Sequence, residues 1–366
     1  MEKDQFVFVG TYTQPIKFGT GEILYGKGKG IDILKFNPET GFIKHFATKE
    51  GVANPSYLVF SNSKKYLYAV NELKEYMGEA TGTVSAFRID RNTGNISFIN
   101  LQKTGGTDPC HVNISKDDKY VFVSNFMSGS VCVFPTGEDG ALKEPVQFIQ
   151  HEGSSVNVKR QNGPHAHSLT LDKNNDYAFV PDLGIDKLMI YKIDFENHGQ
   201  VLIPQGSLKL SPGSGPRHCE FDASYRHCYL INELASSISV FDYGGKGGFE
   251  LKQTVSTLGE PYEGDNICAD IHLTPNGRFL YGSNRGHNSI AIYNVDEHSG
   301  MLTYINTIGC GGKTPRNFAI DPSGRFLLVA NQDSNNIVSF AINEKDGTLS
   351  EVMRLESPTP VCVKFF

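Results

Sequence analysis

The chain has 366 residues, 39% hydrophobic and 20% charged, with 38 glycines, 17 prolines and no tryptophan. That balance suits a soluble globular protein with a real core, as one large all-β domain or two average domains. A formal net charge of -6 argues against nucleic acid as a partner, and no apolar run is long enough for a membrane span.

The first ten residues are acidic and soon become strand-like, without a basic region leading into a long apolar one, so no signal peptide is expected. The cysteines (Cys110, Cys132, Cys219, Cys228, Cys268, Cys310 and Cys362) are odd in number and scattered, with no Cys-x-x-Cys. Reduced thiols in a cytoplasmic protein fit better than a disulfide framework or a zinc site.

In chain order, one strand pattern recurs: aromatic and apolar residues, then usually Asn or Asp, then a variable residue. It covers residues 5–12, 65–72, 119–126, 176–183, 226–233, 278–285 and 325–332, seven copies in all. A partner strand precedes six of them across polar turns, at 55–61, 109–115, 166–172, 216–222, 268–274 and 315–321. The partner missing before residue 5 appears at 360–365 instead. A third strand follows each copy, then a Gly-containing turn and a short fourth strand, as at 82–90, 92–95 and 96–101. No amphipathic helix interrupts this period-2 alternation.

Four-stranded units repeated around a centre are propeller blades. The expected fold class is therefore all-β, a seven-bladed β-propeller forming a single domain over 1–366. The C-terminal strand would join the N-terminal blade and close the ring, removing a free sheet edge. Two Gly-containing insertions, 13–29 and 71–82, fall between second and third strands, and a long connection runs over 150–163.

In such a ring the starts of the inner strands and the ends of the second strands share one face. The Asn/Asp column (Asn71, Asn125, Asp182, Asn232, Asn284, Asn331) repeats, which suggests turn residues that satisfy backbone groups. The neighbouring column varies (Tyr12, Glu72, Phe126, Leu183, Glu233, Arg285, Gln332). So does the inner-strand column (Ser56, Cys110, His167, Arg217, Ala269, Arg316, Val361). Departures from a repeat are where function is expected.

His165 and His167, two apart on a strand, would face the same side. Arg217 and Arg285 suit a phosphate or carboxylate, and Glu233 suits either a base or an arginine partner. Further candidates for substrate contact are His111, His218, Asp182, Arg316 and Asn284. Cys110 and Cys219 read as small packing residues. No spacing demands a metal, no cofactor motif occurs, and no Gly-x-Ser-x-Gly elbow signals a serine nucleophile. A cationic face in an acidic protein points to a small anion as partner.

The segments GTYT (10–13), GPHAHS (163–168), PDLGIDK (181–187), GPRH (215–218), NEL (232–234) and SNRGHNSI (283–290) together resemble the bacterial 6-phosphogluconolactonases of the seven-bladed propeller type, which are related to fungal carboxymuconate cyclases. The resemblance spans nearly the whole chain. It implies a metal-independent lactonase with a histidine of the 163–168 motif, Arg217, Glu233 and Arg285 clustered on the ring's face. Opening a δ-lactone needs an activated water and a stabilised oxyanion. His165, His167 or Glu233 would take the water's proton. Arg217 or Arg285 would stabilise the oxyanion, and the other would hold the phosphate of a small anionic lactone. The alternatives are a cycloisomerase or lactonase for another carboxylated or sugar lactone, and a non-catalytic interaction propeller marked by a conspicuous surface patch.

Overall fold

The structure is a computed structural model describing residues 4–18, 21–197 and 199–366. Residues 1–3 of the acidic N-terminal stretch and residues 19–20 of the first insertion lie outside the described residues.

Among the described residues every regular element is a strand. Seven four-stranded sheets form the blades of a seven-bladed β-propeller, and a small two-stranded sheet (Pro15–Lys17 with Ile23–Tyr25) accompanies them. The C-terminal strand Pro360–Phe365 pairs with Gln5–Thr11, which is followed in that sheet by Gly30–Phe36 and Ile43–Glu50. Val361, Cys362 and Val363 are buried there, and Phe365 packs edge-on against Phe36 at 5.0 Å. Burying a side chain of this kind is worth roughly 1.5–3 kcal/mol, so closure rests on packing as well as on ladder hydrogen bonds.

The chain packs as two compact units. One contains residues up to Val9, Ile33–Phe46 and Arg217–Phe366; the other contains Gly10–Asp32 and Ala47–Pro216. Cores of the first unit form around Phe279, Tyr281, Phe318 and Phe340, around Tyr229, Ile231 and Tyr293, and around Val7, Phe36, Phe326 and Val363. A core of the second forms around Phe122, Leu169, Val180 and Tyr191.

A shared device starts many of the first strands. Asn54, Asp108, Gly215, Thr314 and Thr359 each precede a proline and have positive φ, from 38° to 62°. Four of these are not glycine, and left-handed backbone costs such residues roughly 1–2 kcal/mol. The turn presents a carbonyl to the residue just beyond the Asn column: Glu72 N–H donates to Asn54 O, Phe126 N–H to Asp108 O and Gln332 N–H to Thr314 O, at 2.9–3.0 Å. A register shift follows in three of these sheets, between Pro55 and Tyr57, Pro109 and His111, and Pro315 and Asn317, and a further sheet has one between Cys268 and Ile271. Such bulges re-aim side chains, and the variable column (Ser56, Cys110, Ala269, Arg316) sits inside them.

The expected strand over 166–172 is reduced to Thr170–Leu171, with one isolated bridge between Ala166 and Asp182. The facing strand Tyr177–Asp182 carries Pro181, which has no N–H to donate to the ladder. At the head of the segment the Asp182 carboxylate Oδ1 accepts the backbone N–H groups of His165 (2.6 Å) and Gly184 (3.0 Å).

Candidate functional site

In the unit that contains Arg217–Phe366, Pro216–Phe221 carries Arg217 and His218 at its entry, and Glu233 follows His227–Asn232. The next sheet supplies Asp270 and His272 from Ile267–Leu273 and Arg285 from the end of Phe279–Arg285. One oxygen of Glu233, Oε2, receives Nε–H of Arg217 at 3.1 Å and lies 2.7 Å from Nη2 of Arg285. Arg285 Nη2 also donates to Cys268 O at 2.7 Å, and Arg217 Nη1 donates to Ala269 O. The carboxylate is thus clamped between two guanidiniums, each also anchored to a carbonyl near the sheet's bulge.

The three side chains carry two positive charges and one negative, with each guanidinium held in place by its carbonyl partner. Arg217 and Glu233 are each 3% exposed, and Arg285 is 11% exposed, so Arg285 is the more accessible of the two cations. In a poorly hydrated setting such a charge is screened little, and it suits an anion or a developing oxyanion.

A second layer of bonds runs away from this clamp. Arg217 Nη1 lies 3.3 Å from Nε2 of His218, whose Nδ1 is 2.8 Å from Asp270 Oδ1. The other Asp270 oxygen meets His272 Nε2 at 3.1 Å and accepts from Asn317 Nδ2 and, at 3.3 Å, from the Phe318 N–H. His272 Nδ1 reaches Glu220 Oε2 at 2.6 Å. Burial and the neighbouring Arg217 push His218 down to about 4. Burial opposes charge on His272 too, but Asp270 and Glu220 override it and raise that imidazole to about 10. Burial would raise Asp270, yet His272 and the hydrogen bonds from both imidazoles hold it well below the usual range.

In the unit that contains Ala47–Pro216, the histidine motif is organised by Phe126. His165 stacks on its ring at 4.7 Å and 17°, and His167 meets it edge-on at 5.2 Å. Both rings therefore contact one aromatic side chain although their backbone is not a regular strand. His165 Nδ1 donates to Phe126 O at 2.9 Å, so the neutral imidazole carries its lone pair on Nε2. The thiol of Cys110 donates to His167 O at 3.2 Å. His111 accepts the Leu169 N–H on Nδ1 at 3.3 Å and packs 4.4 Å from the Tyr57 ring.

Asp182 and Asn284 are fully buried and spend their polar atoms internally. Beyond the two backbone donors to Oδ1, Asp182 Oδ2 takes Nδ1–H of His151 at 2.6 Å, and His151 Nε2 pairs with the Tyr191 hydroxyl at 2.8 Å. Asn284 donates to Thr257 O (2.9 Å) and Ser289 Oγ (3.2 Å), while its Oδ1 accepts from Thr257 Oγ1 (2.7 Å) and Asn266 Nδ2 (3.1 Å). The rest of the column behaves alike: Asn71 donates to Ala53 O, Asn125 to Ser130 Oγ, Asn232 to Ser237 and Ser239, and Asn331 to Cys310 O. Arg316 is half-buried inside its bulge.

Of the residues singled out in the sequence, Arg217, His218, Glu233 and Arg285 are brought into one bonded cluster. His165 and His167 form a second group, around Phe126, in the other unit. Asp270 bonds directly to His218, Glu220 to His272 and His151 to Asp182; none of the three is among the sequence-predicted site residues. Among the described residues no group of three or more His, Cys, Asp or Glu side chains is placed to hold a metal ion, and no helix is long and apolar enough to cross a membrane.

The sequence profile of the family described as lactonase, 7-bladed beta-propeller, matches residues 6–365. A 6-phosphogluconolactonase of Bacillus subtilis is 33% identical, covering 98% of this chain and 97% of that protein. A 6-phosphogluconolactonase of Formosa agariphila is 36% identical, covering 86% of each. The solved structure of the periplasmic gluconolactonase of Pseudomonas aeruginosa superposes with a TM-score of 0.91 at 32% identity, over 99% of both chains. With the clamp, the seven blades and these relatives in view, the chain belongs to the seven-bladed β-propeller lactonase family.

Proposed function

We propose that this protein hydrolyses 6-phospho-D-glucono-1,5-lactone to 6-phosphogluconate, a step of the pentose phosphate pathway. The observation that carries the reading is the pair of guanidiniums sharing Glu233 Oε2, which fixes two cationic donor groups at one point. Attack of water on the lactone carbonyl moves negative charge onto its oxygen. A fixed cationic donor aimed there lowers the barrier without having to reorganise. Arg285, the more accessible arginine, is assigned to that oxyanion, with Arg217 as the second cation.

Within the unit that contains Arg217–Phe366, the water's proton goes to Glu233, the carboxylate beside both arginines. No step needs a metal ion. The buried thiols suit a reducing compartment, and we place the protein in the cytoplasm.

A second reading, a lactonase for an unphosphorylated sugar lactone, is favoured by the likeness to the Pseudomonas gluconolactonase. The test is the rate of hydrolysis of the phosphorylated and unphosphorylated glucono-δ-lactones by wild type, each corrected for spontaneous opening. A higher kcat/KM for the phosphorylated lactone supports the first reading. The reverse preference supports the second, and acceleration of neither removes both.

A further inference from the structure

We infer that His218 and Asp270 are positioning residues for Arg217, with Asp270 holding His218 as a neutral Nδ1–H imidazole whose Nε2 accepts a hydrogen bond from the guanidinium. The inference rests on the reading of Arg217 as part of a lactone-hydrolysing centre.

Neighbouring residues on a regular strand point to opposite faces. The approach of Arg217 Nη1 to His218 Nε2 at 3.3 Å therefore marks a departure from the pleat. It occurs at the strand entry, where four sister sheets carry a bulge. Donor chemistry then fixes the proton. A guanidinium has only donors, so Nε2 of His218 must accept; an ionised carboxylate has only acceptors, so Nδ1 must donate. Both conditions are met at once only by the neutral Nδ1–H tautomer, with Nδ1 2.8 Å from Asp270 Oδ1. Protonation would turn a second donor toward Arg217.

The groups facing His218 agree with this. Arg217 stands on its own strand, Asp270 comes from the next sheet, and His272 with Glu220 lies beyond Asp270. The positive charge of His272 beside Asp270 weakens the pull of that carboxylate on a second proton at His218. The low position of His218, about 4, follows from burial and the adjacent guanidinium. Asp270 is held in turn by Asn317, whose Oδ1 accepts the Val363 N–H at 2.6 Å. The anchor of the arginine is thereby tied to the C-terminal strand.

The decisive test is nitrogen-15 correlation spectroscopy of the histidine side chains in the wild-type protein near neutral pH, with His218 assigned by its loss in His218→Gln. A neutral Nδ1–H pattern for His218 is expected. An imidazolium or a neutral Nε2–H pattern overturns the inference, whatever the protein hydrolyses.

Kinetics provides the second arm. His218→Leu removes the acceptor and is expected to lower kcat on the order of tenfold to a hundredfold, the scale of a misplaced catalytic group. The loss should fall on kcat more than on KM. His218→Gln, which offers an amide oxygen to Arg217, is expected to recover most of that loss. Equal losses in the two variants overturn the positioning role. Failure of wild type to hydrolyse lactone defeats the functional reading instead, and the spectra still decide the tautomer.

Discussion

Arg285 places Nη2 2.7 Å from Oε2 of Glu233, on the oxygen that already receives Nε–H of Arg217 at 3.1 Å. Two cations on one buried carboxylate oxygen are costly without the carboxylate. Stability and charge balance at this point therefore depend on Glu233.

Replacing Glu233 by Ala leaves the two guanidiniums facing each other with no anion between them. Removing one partner of a buried ion pair typically costs about 3–5 kcal/mol. Glu233→Ala is expected to lower the urea midpoint of unfolding by that order and to abolish measurable lactone hydrolysis. A midpoint equal to wild type would show that the clamp contributes nothing to the fold.

The two imidazoles around Asp270 give opposite pH dependences. His218 falls from the ordinary value of 6.5 to about 4 in the folded chain. The unfolded chain therefore binds more protons between those values, and stability present above 6.5 is lost as pH falls toward 4. His272 rises from 6.5 to about 10, so its contribution is complete below 6.5 and is lost as pH rises through 10. Urea midpoints measured across pH should decline on both sides of neutrality. His272→Gln should flatten the alkaline decline and His218→Gln the acid one. An unchanged alkaline limb in His272→Gln would refute the assignment.

Closure of the first sheet by Pro360–Phe365 makes a further prediction. Without residues 360–366, the strand Gln5–Thr11 loses its ladder partner, and Phe36 and Phe8 lose the rings of Phe365 and Phe366. Losing several buried side chains at roughly 1.5–3 kcal/mol each exceeds much of a typical folding stability. The truncated chain is expected to be insoluble or to melt far below wild type in circular dichroism. Unchanged melting would mean that the ring does not need its last strand.

Much of this architecture is legible in the sequence, because each blade repeats the same alternation and turn. The seven second strands stand within a residue or two of where the alternation puts them, and the Asn column is the internal hydrogen-bonding position its recurrence suggests. Arg217, Glu233 and Arg285 stand out because they break a repeat. Glu220 does not, since it lies beyond the strand entry and its partner His272 is in an adjacent sheet. His151 is hidden for a different reason. It opens a long connection with no periodic pattern, yet its bonds to Asp182 and Tyr191 help to shape the histidine motif. The short strand Thr170–Leu171 escapes alternation as well, because Pro181 in the facing strand has no N–H to donate to the ladder.

The most direct measurement is the initial rate of 6-phosphoglucono-δ-lactone hydrolysis by wild type and by Arg285→Gln, both corrected for spontaneous ring opening. Arg285 is partly accessible and neutral glutamine preserves much of its bulk, so the variant is expected to fold. The account predicts hydrolysis by wild type well above the spontaneous rate. It also predicts a loss of kcat on the order of a hundredfold to a thousandfold in the variant, the scale for removing one oxyanion donor. A wild-type rate equal to the spontaneous one, or equal rates for the two proteins, would contradict it.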